Sequence, residues 1–144
     1  MPAKPERRTA TSRHAIVVFE HRECRGPLRL LQPGFRHCFC LLRTEDQWLL
    51  CDPLKGSLRL DLLPPYEARD LAGHYARLGR HVALGRTDPG RTAGGLGFRP
   101  LSCVEIVKRA IGLVAPGVLT PRQLYRKLKS TGDWNLLTEF SSDP

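Results

Sequence analysis

Apolar residues in this chain fall into short runs broken by polar turns, and three stretches carry helical spacing instead. His14–Glu20 is a run of strand formers with polar ends. Gly34–Leu42 and Gln47–Asp52 are similar runs separated by the turn-like Arg43-Thr44-Glu45-Asp46, so together they predict a β-hairpin. An even-numbered loop centred on Thr44-Glu45 sets His37 opposite Asp52, Phe39 opposite Leu50 and Leu41 opposite Trp48, all on one face. Leu28–Gln32 predicts a short strand before the Pro33-Gly34 turn, and Ser57–Leu62 alternates as a further strand. Pro64-Pro65 opens a helix with the apolar stripe Ala68, Leu71, Ala72, Tyr75, Ala76 and Leu78, ended by Gly79; His81–Arg86 then returns to strand. Another helix starts at Cys103 and stops at Gly112. The last begins behind Thr120, with Pro121 at its first position and Gln123 closing a capping box, and runs to Lys129. Trp134–Phe140 is apolar enough to dock as a final strand or an extended tail. The pattern predicts an α+β fold, a mainly antiparallel sheet with helices packed on it.

Composition narrows this picture. A chain of 144 residues suits one core, with residues 1–13 as a flexible basic arm and 14–144 as the folded domain. No apolar run approaches the roughly 20 residues of a membrane span, and the basic start leads into a strand rather than a signal-peptide core. Five cysteines (Cys24, Cys38, Cys40, Cys51 and Cys103) form an odd set without framework spacing, which fits reduced thiols in the cytoplasm and not a disulfide scaffold. The net charge of +9 comes from arginines scattered along the chain, with few aromatics between them. That implies weak, non-specific polyanion attraction rather than a dedicated nucleic-acid site, and it is also what a GC-rich genome encodes.

The candidate chemistry centres on Cys103. In Leu101-Ser102-Cys103-Val104-Glu105-Ile106, Ser102 is the N-cap, Glu105 closes a capping box and Leu101 staples onto Ile106. Cys103 then holds the first helical position, where free backbone N–H groups and the positive end of the helix dipole favour a thiolate. Glu105 acts the other way by adding negative charge nearby. His37 is the candidate base, and Asp52, across the expected hairpin, would fix its tautomer. His74 and His81 are rival bases without a carboxylate at a defined spacing. Ahead of Cys103, residues 87–100 hold four glycines and two prolines, too many for a regular element. This stretch reads as a substrate-covering loop, with Phe98 and Arg99 as its substrate contacts. The plain alternatives are a buried structural cysteine, a strand histidine bonded to a carbonyl and a turn aspartate.

The order His37, Asp52, Cys103, with the cysteine heading a helix and the histidine starting a strand, resembles the circularly permuted papain-like (NlpC-like) cysteine peptidases and amidases. The resemblance spans roughly residues 14 to 113 and is carried by Gly34–Leu42, Gln47–Leu54 and Leu101–Gly112. It implies a papain-like fold with Cys103 as nucleophile, His37 as base and Asp52 as orienter. It also implies a thioester intermediate on a peptide, amide or other acyl substrate, with no cofactor. The backbone N–H of Cys103 is the natural first oxyanion donor. Two other classes remain open: a non-catalytic basic interaction module on the same fold, and a metal site joining His37 to Cys38, Cys40 or Cys51.

Overall fold

A computed structural model describes residues 12–22, 31, 33–54, 57–87 and 102–137. Residues 1–11 of the expected arm, Cys24, most of the expected Leu28–Gln32 strand, Phe98 and Arg99 with the rest of 88–100, and Leu101 with its staple lie outside the described residues.

The described elements are strands β1 (His14–Glu20), β2 (His37–Arg43), β3 (Trp48–Leu54), β4 (Ser57–Leu63), β5 (His81–Arg86) and β6 (Asn135–Leu137), and helices α1 (Ala68–Arg77), α2 (Cys103–Ile111) and α3 (Pro121–Thr131). The six strands form one sheet in the order β4-β3-β2-β1-β5-β6, every neighbouring pair antiparallel. The chain is therefore α+β, as its pattern predicts.

Period-two alternation splits β1 between two cores. Ile16 and Val18 join Phe39, Leu41, Trp48 and Leu50 under Leu71, Ala72 and Ala76 of α1. Ala15, Val17 and Phe19 join Cys38, Cys40 and Cys51 under α2 and α3, through Val104, Val107, Ile111, Leu124 and Leu128. With both faces covered, the inner residues of β1 are all buried, which explains why this strand reads as an unbroken apolar run.

The hairpin register differs from the expected one. Cys40 pairs with Cys51, Leu41 with Leu50, Leu42 with Leu49 and Arg43 with Trp48. The turn is the four residues 44–47: the Thr44 N–H donates to the Gln47 carbonyl at 2.8 Å, and the Thr44 hydroxyl accepts from the Gln47 N–H at 3.1 Å. Thr44 thus clamps a turn shifted toward the second strand. The slip is two residues, so each side chain keeps its face while its direct partner changes. Asp52 is not directly across from His37 but diagonal to it, one step along the same face.

Helix α1 begins at Ala68 rather than at the prolines, because the Tyr66 N–H turns back to the Pro64 carbonyl at 2.8 Å and Glu67, in extended conformation, occupies the N-cap position. Helix α2 matches its expected span, ending at Gly112 in the left-handed conformation with φ 74°. Helix α3 runs two residues past Lys129 and carries the expected full capping box between Thr120 and Gln123. The C-terminal segment docks as strand β6 on β5. There Trp134 lies directly on Gly85: a Cβ on that glycine would meet the indole at 2.4 Å, so only glycine admits the ring. No helix among the described residues is long and apolar enough to cross a membrane.

Candidate active site

Three elements meet at the end of the sheet where β2 begins. Helix α2 lies on the Cys38 face with its first turn toward that end. Ser102 caps it by accepting from the Glu105 N–H at 3.2 Å, which fixes Cys103 as the first helical residue, half-buried at the margin of the core. His37, the first residue of β2, and Asp52, near the end of β3, are both buried. His37 Nε2 and Asp52 Oδ1 lie 2.6 Å apart. With Nε2 engaged by Asp52, Nδ1 is the ring nitrogen left for the Cys103 thiol, and the interaction of thiol and ring lowers the pKa of the one and raises that of the other. Strand alternation points His37 away from Cys38, but at the strand's first residue the ring reaches the sheet end, and Cys103 touches both residues there.

The electrostatics follow from these contacts. The Cys103 thiol is pulled down to about 4, first by the hydrogen bond from the Cys38 thiol. Burial opposes this. The His37 hydrogen bond, the Cys38 backbone N–H and the imidazolium charge add to it. Cys38, fully buried, is held well above the usual thiol range by burial and by its bond to Cys103, so it keeps its proton and acts as donor. His37 is pushed down by burial, yet its hydrogen bonds to Cys103 and Asp52 and the charge of the thiolate together raise it above its ordinary 6.5; Arg22 works against them. The pair therefore rests as thiolate and imidazolium between about 4 and a point above 6.5.

Several contributing residues are not singled out by the sequence pattern. Cys38 enters that reading only as a metal ligand. Its adjacency to His37 on a strand starting beneath a capped cysteine is the signal that points to it. Arg22 donates to Glu20 at 3.0 Å and to Asp52 at 3.4 Å, and Arg80 pairs with Glu20 at 3.3 Å. Glu20 is the cross-strand partner of His37. The Asp52 carboxylate is thus held from one side by the imidazole and from the other by a guanidinium, which fixes its rotamer. Glu105 does stand in the first turn, but its carboxylate is drawn into an ion pair with the buried Lys108 at 2.6 Å. Lys108 also donates to the carbonyls of Ala115 and Val118. A charge that would oppose the thiolate is thereby neutralised within its own helix.

The rival bases are placed elsewhere. The His81 ring stacks on Phe35 with centroids 4.6 Å apart, its Nδ1 is buried without a hydrogen-bond partner among the described residues, and burial lowers its pKa. His74 packs edge-on against Tyr75. Cys40 and Cys51 face each other across β2 and β3. The Cys40 hydrogen bond, against burial, brings the Cys51 thiol to about 7, but Cys51 is only 7% exposed. Among the described residues no group of three or more His, Cys, Asp or Glu side chains is arranged to hold a metal ion. A cavity of about 620 Å³ opens at the other end of α2, bounded by Ile111, Gly112 and Trp134, and includes none of Cys103, His37 and Asp52.

Compared with known proteins, the chain matches no family model, no curated protein and no solved structure.

Proposed function

We propose that this chain is a thiol hydrolase of the permuted papain-like kind, acting on a peptide, amide or related acyl group through Cys103, His37 and Asp52. The observation that carries this reading is the half-buried Cys103 thiol at a capped helix N-terminus, its pKa drawn down partly by an imidazole whose Nε2 lies 2.6 Å from a buried carboxylate. A thiolate so held attacks the acyl carbon. The backbone N–H at the head of α2 faces the developing oxyanion, and the His37 imidazolium gives its proton to the leaving group. Neutral His37 then takes a proton from water, whose oxygen attacks the thioester and restores the thiolate. Asp52 holds the ring through both proton transfers, with Arg22 behind it. Free thiols at Cys38, Cys40, Cys51 and Cys103 fit a reducing compartment such as the cytoplasm.

The test is acylation by an activated ester. With p-nitrophenyl acetate, wild-type protein should release a stoichiometric burst of nitrophenol and carry an acetyl group on Cys103, located by peptide mass spectrometry. Cys103→Ala should show neither. Asp52→Asn should acylate about 10- to 100-fold more slowly, because an amide still orients the imidazole but does not stabilise its charge. Acetylation spread over several residues, unchanged in Cys103→Ala, refutes the proposal.

A further inference from the structure

Strand β4 inverts the usual logic of a sheet. Its even positions are leucines and all three are exposed: Leu58 is 48%, Leu60 55% and Leu62 61% accessible. Its odd face carries Arg59 and Asp61, paired along the strand at 2.6 Å. Among the described residues β4 pairs with β3 alone and forms one edge of the sheet. An exposed edge strand with an apolar stripe is a template for another strand, and soluble proteins usually blunt it with charge or a bulge. Here the charges sit on the other face and leave the stripe intact.

We propose that β4 pairs antiparallel with β4 of a second copy of this chain, about a two-fold axis through Leu60, joining the two sheets into one. The order of charges selects this occupant and this register. Centred on Leu60, the pairing sets Arg59 opposite Asp61 of the second copy and Asp61 opposite its Arg59, so four charges alternate across the seam. On the other face Leu58 meets Leu62, Leu60 meets Leu60 and Leu62 meets Leu58. Moving the axis one residue either way sets Arg59 against Arg59 or Asp61 against Asp61, and half-step registers set leucine against charge. The strand is thus complementary to itself in one arrangement and repelled in its neighbours. This inference stands apart from the proposed hydrolase.

The test is sedimentation velocity on the full chain with charge-swap variants. Wild type should sediment as a dimer at micromolar concentration. Arg59→Asp and Asp61→Arg should each weaken the dimer by about tenfold or more, since each sets like charges opposite one another at two symmetric places. The double variant R59D/D61R should restore it. Arg59 and Asp61 side chains are 59% and 42% exposed, so the swaps leave the core untouched. Leu60→Cys should form a disulfide between the two copies at that position on mild oxidation, mapped by peptide mass spectrometry. A monomeric wild type, open-ended association, a double variant that stays monomeric, or a Leu60→Cys variant that forms no cross-link at the substituted position overturns the proposal.

Discussion

The pKa of Cys103 is lowered first of all by its neighbour Cys38. Helix position supplies open N–H groups and His37 a cation, but the largest influence is a protonated thiol kept protonated by its own burial. Two identical side chains in contact thus take opposite states because one lies in the core and the other at its margin, beside an imidazole. Cys38→Ala removes this donor and leaves the rest of the site in place. The pH at which Cys103 alkylation by iodoacetamide falls to half should then move upward from about 4. The fully buried position should cost about 1–2 kcal/mol of stability for the small cavity left behind. An unshifted half-point would assign the low pKa to His37 and the helix terminus alone.

At the scale of elements, most of the fold was legible because caps and alternation are local. The Ser102 and Thr120 caps, the helix stop at Gly112 and the spans of β1 and β5 need no long-range information. Two features were hidden for physical reasons. The hairpin register turns on whether Arg43 opens the turn or ends β2, and the bonds between Thr44 and Gln47, which start the turn one residue later, decide that only in three dimensions. Because the slip is an even number of residues, His37 and Asp52 still share a face and lie 2.6 Å apart. Lys108 was illegible: a lysine in a helix reads as solvated, yet its Nζ is enclosed by Glu105 and by the carbonyls of Ala115 and Val118. It ties the head of α2 to the segment leading into α3. Lys108→Met should therefore lower stability to urea by about 3–5 kcal/mol, since a buried carboxylate loses its cation and two carbonyls lose their donor. Lys108→Met combined with Glu105→Gln should recover part of that loss. A change below about 0.5 kcal/mol in the single variant would mark the pair as solvated.

On the scale of the whole molecule, the sheet separates the two halves of the site. His37, Asp52 and Glu20 belong to the face covered by α1, while Cys38 and Cys103 belong to the face covered by α2 and α3. They meet only where β2 begins and the sheet no longer divides them, so the site depends on α2 being docked with its N-terminus at that end. The central claim is that this meeting creates a thiolate–imidazolium pair. The most direct measurement is the rate of Cys103 alkylation by iodoacetamide from pH 3 to pH 10, resolved from the other cysteines by peptide mass spectrometry, in wild type and in His37→Ala. Cys103 is lowered, so its thiolate is present above about pH 4 and lost below it; His37 is raised, so its proton persists above pH 6.5. Wild type should react at a steady rate across neutral pH and fall to half near pH 4, while His37→Ala should fall at a distinctly higher pH. A wild-type half-point near pH 8.5, about the range of an ordinary thiol, unchanged by the His37 substitution, would contradict it.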